Sequence, residues 1–189
     1  MEKFDSQLNK TELRRYLLQT RQSLTVEEWK LKSDRIVAQL QSSVIFNQAT
    51  TVLAYFSFRQ EPDLSVLFSD SQRRWGFPRC LGKSLSWHFW NCDDELISGK
   101  YGITEPHPDA PMIHPGEVDL IIVPCVGCDR LFYRLGYGGG YYDRLLSSPE
   151  WSQIPTIGIV FDFAYLPQLP IESWDKPLKS VVTEIGVME

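Results

Sequence analysis

Val118-Asp-Leu-Ile-Ile-Val-Pro124 decides the fold. It is apolar along most of its length, bounded by proline, and reads as a central parallel strand covered on both faces. Upstream, Pro106, Pro108, Pro111 and Pro115 share the stretch with Gly99, Gly102 and Gly116, so 99–117 reads as a loop region. Downstream, a glycine-rich segment runs into Tyr141–Ser147, which has helical character, and Ile154–Val160 and Lys179–Glu184 read as further strands.

Toward the amino terminus, Leu13, Leu17, Leu18 and Leu24 recur at helical spacing from Lys10 onward. Thr25-Val-Glu-Glu28 is a capping box that opens a second helix reaching Ser42, with Trp29, Ile36, Val37 and Leu40 on its apolar face. Thr51–Phe56 reads as a buried strand, Asp63–Ser69 as a helix after Pro62, and Trp75–Arg79 as a short strand. Leu85–Trp90 alternates, which predicts a strand exposed on its Ser86, His88 and Trp90 face. Strands alternating with helices predict an α/β fold: a single domain over 1–189 with a mainly parallel sheet and helices on both faces.

Composition narrows the function. The chain has 189 residues, 43% of them hydrophobic, and a net charge of −5, which excludes a disordered chain. No apolar run approaches the roughly 20 residues of a membrane span. The first residues, MEKFDSQLNK, show neither an apolar leader core nor the acid-poor character of a transit peptide. A cytoplasmic protein without membrane or nucleic-acid partners is expected, the latter because the pI is about 5.3. Cys125-Val-Gly-Cys128 lacks a second pair at zinc spacing, since Cys80 and Cys92 do not supply one, and reads as reduced thiols at a strand end and loop. His88, His107 and His114 form no metalloprotease pattern.

The chemistry concentrates in Arg134-Leu-Gly-Tyr-Gly-Gly-Gly-Tyr-Tyr-Asp-Arg144. Four glycines in five positions are costly in backbone entropy. They allow backbone amides to approach an anion at the start of a helix. Arg134 can fork onto phosphate oxygens, and Asp143 is an oxygen ligand for a magnesium ion carried by them. A tight strand-to-helix turn is the plain alternative. The spacing fits neither a GxxxxGK[ST] loop nor a GxGxxG fingerprint.

These residues, with Lys10-Thr-Glu-Leu-Arg14, Glu61, Gly102-Ile-Thr-Glu-Pro106, Asp175 and Val182-Thr-Glu184, resemble the 5-formyltetrahydrofolate cyclo-ligase (5,10-methenyltetrahydrofolate synthetase) family from about Lys10 to Glu184. The resemblance implies an ATP- and Mg²⁺-dependent closure of 5-formyltetrahydrofolate to 5,10-methenyltetrahydrofolate, with release of ADP and phosphate. It implies a phosphorylated formyl (iminium phosphate) intermediate, closed by attack of N10. It further implies ATP contacts from Lys10, Thr11, Glu12, Leu13 and Arg14, and from Arg134, Leu135, Gly136, Tyr137, Gly138, Gly139, Gly140, Tyr141 and Tyr142. Phe56, Glu61 and the run Tyr137, Gly138, Gly139, Gly140, Tyr141 would border the folate; Arg134 and Tyr142 would be catalytic; Asp143 and Asp175 would hold Mg²⁺. The implied partners are the two small-molecule substrates, and a monomer is expected.

Plain readings stand beside these roles: a solvated basic face for Lys10 and Arg14, a helix-start carboxylate for Glu61, core packing for Phe56, and a turn for Asp175. The alternative function is a folate- and nucleotide-binding module without turnover. The chain departs from the family pattern at Phe132, where glycine is usual and a different or strained turn is expected. It departs again at Trp174, often His, and at Gly139, where many members carry Lys.

Overall fold

A computed structural model describes residues 8–189; of the ten residues that carry the amino-terminal leader reading, Met1–Gln7 lie outside them. Two helices open the described chain, α1 (Lys10–Gln22) and α2 (Val26–Ser42), followed by a short α3 (Val44–Gln48). The Thr25–Glu28 box caps α2 as its sequence demands, and Asn9 with Glu12 forms a second box on α1.

Seven strands build the central sheet: β1 (Thr51–Leu53), β2 (Arg74–Leu81), β3 (Ser84–Phe89), β4 (Leu120–Pro124), β5 (Thr156–Ile159), β6 (Ser180–Thr183) and β7 (Gly186–Met188). Their spatial order is β7-β6-β5-β4-β1-β2-β3. The five inner strands run parallel, and β3 and β7 close the edges antiparallel. Leu120 and Ile122 pack under α2 and α3 with Ile36, Leu40 and Phe46. Ile121 and Val123 face the opposite layer, with Leu13 and Leu17 of α1 and Leu145 and Leu146 of α4 (Tyr141–Ser147). The period of two along β4 thus feeds two apolar layers, and the expected α/β sheet with helices on both faces is what forms.

Several elements differ from their sequence reading. β1 ends at Leu53, three residues early, because Ala54–Phe56 leaves the ladder after one bond from Ala54 N to Gly76 O. Asp63–Ser69 contains only a 3₁₀ turn, Ser65–Ser69. The Ser86–His88 face of β3 is buried rather than solvated. The supposed loop at 110–113 lies across it: His88 Nδ1 sits 2.7 Å from Ala110 O, and Phe89 N donates to Pro111 O. A polar alternation signals solvent only when no later segment covers it. Leu96–Ser98 and Thr104–Pro106 pair as a small ribbon, and Gly127–Asp129, Arg134–Leu135 and Tyr165–Leu166 as another.

Phe132 adopts φ +64, so the turn expected to be strained is strained. Buried Asp129 fastens it, its Oδ1 accepting from Leu131 N and Tyr133 N at 3.0 Å each. Cys125 and Cys128 are free and buried. Among the described residues no helix is long and apolar enough to cross a membrane.

Candidate active site

The chain lays β1, β2 and β3 outward in one direction and then returns to lay β4, β5 and β6 outward in the other. Between β1 and β4 the connections leave the carboxyl edge on opposite sides and open a crevice, where ligands bind in such sheets. A cavity of about 750 Å³ lies there, bordered by Tyr55 and Phe56 beyond β1 and by Pro124 at the end of β4.

The glycine loop forms one wall. Gly138 at φ +94 and Gly140 at φ +68 take backbone conformations that a side chain would strain. A Cβ on Gly136 would meet nothing within 4 Å, so the bare backbone there faces open space. Lys10 and Arg14, one helical turn apart on α1, both reach this wall. Arg14 Nε donates to Gly136 O at 2.6 Å, and burial lowers the pKa of its guanidinium. Lys10 Nζ pairs with Asp175 Oδ2 at 2.5 Å. Arg134 is 8% exposed, donating from Nη1 to Lys176 O at 2.8 Å and from Nη2 to Asp143 Oδ1 at 2.6 Å. The wall therefore holds three cations beside two carboxylates.

Elsewhere the lining is largely apolar, with Phe56, Phe58 and Ile103, and carries the acids Glu61 and Glu105 and the side chain of Arg59. Phe56 stacks on Phe77 with ring centroids 4.0 Å apart while its exposed part borders the cavity, so its core and site readings both describe it. Glu61 is 3% exposed, and Phe58 N donates to its Oε2 at 3.1 Å. Loss of solvent pushes its carboxyl up to about 7, against the opposing pull of Arg21 and of bonds from Phe58 and Tyr137. Burial also pushes the Tyr137 and Tyr142 phenols up, so both are neutral donors at physiological pH. The Tyr142 ring meets Trp87 edge-on, 6.5 Å between centroids.

Lys10, Arg14, Phe56, Glu61, Arg134 through Asp143, and Asp175 all border this one cavity. Thr11, Glu12 and Leu13 do not. Thr11 and Glu12 amides donate to Asn9 Oδ1 in the cap of α1, and Leu13 is buried in the core. Asp175, read alternatively as a turn residue, also does that: its Oδ2 accepts from Glu172 N at 2.6 Å. Cys80, Glu105 and Trp174 border the cavity without having been singled out as site residues. Glu105 was visible only as part of the Gly102–Pro106 stretch. Its Oε1 accepts from Cys80 N at 2.9 Å, a contact between residues distant in the chain.

The donor set suits a metal ion that arrives on phosphates rather than one caged by protein. Asp143 and Asp175 offer hard carboxylate oxygens, and among the described residues no group of three or more His, Cys, Asp or Glu could hold a metal.

The chain is similar to known proteins along nearly its whole length. It is 30% identical over 179 residues to the 5-formyltetrahydrofolate cyclo-ligase of Escherichia coli (strain K12), covering 90% of this chain and 98% of that one. It is 29% identical over 186 residues to that of Mycolicibacterium smegmatis, covering 93% of each. The NMR structure of Aquifex aeolicus 5,10-methenyltetrahydrofolate synthetase superposes with a TM-score of 0.84 at 33% identity, covering 95% of this chain and 92% of that one. Residues 6–184 match the model of one family of ligases, and this chain belongs to it: the 5-formyltetrahydrofolate cyclo-ligase family.

Proposed function

We propose that this protein is an ATP-dependent ligase that closes 5-formyltetrahydrofolate to 5,10-methenyltetrahydrofolate, releasing ADP and phosphate. The observation that carries the reading is one cavity bordered by two chemically different groups of residues. Lys10, Arg14 and Arg134 stand with bare glycine backbone in one group, and Phe56 with buried Glu61 in the other. A triphosphate suits the first and a flat heterocycle with N–H donors the second.

A formyl oxygen is a poor leaving group until phosphorylated. In the proposed reaction it attacks the γ-phosphorus; N10 then attacks the activated carbon, and phosphate departs as the ring closes. The residues' part is positioning and charge. Arg134, held by Lys176 O, presents its guanidinium to the transferring group. Arg14 and Lys10 grip the remaining phosphates from the α1 side. Tyr142, kept protonated by burial, can donate a hydrogen bond from its phenol. Glu61 accepts N–H donors of the pterin ring, and Phe56 packs on its face. Asp143 and Asp175 would hold Mg²⁺, which when bound neutralises charge on the phosphates. The proposal takes the enzyme to be monomeric and cytoplasmic and to act on small molecules.

The test is to mix protein, 5-formyltetrahydrofolate and ATP with and without Mg²⁺, following methenyl absorbance and ADP together. Equal amounts of methenyl product and ADP are expected. Binding of both ligands without ADP release would replace the enzyme with a binding module, and ATP hydrolysis indifferent to folate would replace it with another phosphotransferase.

A further inference from the structure

Arg21 is a charged side chain that the reading above leaves without a role. It stands on α1 in step with Lys10 and Arg14, at spacings of four and seven residues, yet it does not border the cavity. It is 3% exposed, and its Nη1 is buried with no hydrogen-bond partner among the described residues. A buried, incompletely satisfied guanidinium costs stability, so packing alone does not account for it.

Its other two nitrogens point to the pterin end. Nε donates to Arg59 O at 3.0 Å. Nη2 donates to the Tyr137 hydroxyl, above whose ring the guanidinium sits at 5.6 Å. That hydroxyl also lies beside the Glu61 carboxylate, which it helps to hold in its charged form. Arg59 and Gln60 adopt φ +49 and +55, two consecutive non-glycine residues in the left-handed region immediately before Glu61. Such a turn persists only where its surroundings hold it. Arg21 holds it from below; Gln60 Nε2 to Leu24 O at 3.1 Å and Trp29 Nε1 to Glu61 O at 2.8 Å hold it from the side.

We propose that Arg21 is a positioning residue for the pterin: it fixes the strained 59–60 turn and the Tyr137 hydroxyl, and its charge, facing Glu61, presents that carboxylate as an acceptor of ring N–H groups. The inference rests on the folate reading of the cavity. The charged and titratable groups facing Glu61 are Arg21 from α1, Tyr137 from the glycine loop, Tyr55 from beyond β1 and Tyr142 from α4. Of these only Arg21 is cationic. Without it Glu61 protonates at higher pH and ceases to be a pure acceptor.

The experiment measures affinity for 5-formyltetrahydrofolate and for ATP by calorimetry between about pH 6 and 9, in wild type, Arg21→Met, Arg21→Lys and Tyr137→Phe. In Arg21→Met, folate affinity at neutral pH is expected to fall about tenfold, and the midpoint of its acidic decline to rise by about one pH unit, with ATP affinity unchanged. Arg21→Lys keeps the charge but not the fork, so it should retain the wild-type midpoint and recover part of the affinity. Tyr137→Phe removes the hydroxyl between the two charges and should move the midpoint upward too. Circular dichroism checks the fold; should Arg21→Met not fold, the Lys and Phe variants decide. An unmoved midpoint in Arg21→Met or Tyr137→Phe, or equal loss of folate and ATP, would overturn the role of Arg21. Wild-type protein that binds no folate would instead overturn the folate reading itself.

Discussion

Arg134 and Asp143 hold each other across the cavity wall, Nη2 to Oδ1 at 2.6 Å, as Lys10 and Asp175 do at 2.5 Å. Two of the three cations proposed to meet phosphates are thus paired with a carboxylate that would hold magnesium, while Arg14 is held by Gly136 O. If the proposal holds, MgATP would replace both partners at once, phosphate for carboxylate and metal for cation, whereas either component alone would break a pair. Arg134→Ala is expected to lower kcat/KM by about 10²- to 10³-fold while the protein remains folded. Asp143→Asn should leave the loop in place but raise the Mg²⁺ concentration giving half-maximal rate by at least about tenfold. Initial rates over a Mg²⁺ series check both, and an unchanged Mg²⁺ requirement would remove Asp143 from the metal.

Gly136 and Gly138 separate backbone strain from ligand approach. Gly138 sits at φ +94 with Arg14 Cζ 3.5 Å from where a Cβ would stand, so Gly138→Ala should cost about 1 kcal/mol of stability. A Cβ on Gly136 meets nothing, so Gly136→Ala should unfold like wild type. If phosphates approach that backbone, Gly136→Ala nonetheless raises KM for ATP, by about tenfold. Urea unfolding beside ATP kinetics reads the contrast.

Glu61 should make the protein less stable as pH rises. Its carboxyl is raised from 4.5 to about 7, chiefly by burial, so the native state holds a proton that the unfolded chain has released. Stability is therefore lost between those two values, by up to about 3 kcal/mol. Glu61→Gln abolishes this component, though it also strips Arg21 of its countercharge, so the flattened pH dependence is the diagnostic quantity. Urea unfolding at about pH 5 and pH 8 measures it; equal slopes in both proteins would mean that Glu61 is not burdened by burial. Folate turnover should fall in the same variant.

Leu17 seats the helix that carries Lys10, Arg14 and Arg21. It is 1% exposed, with Cδ1 2.8 Å from the Cβ position of Gly127. Leu17→Ala should destabilise by about 2–5 kcal/mol. Because α1 then seats less firmly, kcat/KM should fall in conditions where the protein stays folded, and intact activity would show that the core does not position the cations.

What was legible in the amino-acid order was local. The Thr25–Glu28 cap, the apolar run of β4 and the glycines of 136–140 each act through dihedral preference, capping or period within a few residues, and each formed where expected. Arg21 was not singled out, because spacing on α1 cannot tell a buried guanidinium from a solvated one. Tertiary structure alone decided that His88 is covered and that Lys10 meets Asp175 across 165 residues of chain. Burial and charge pairing depend on which distant segments arrive at the same place, and no short-range preference encodes that arrival.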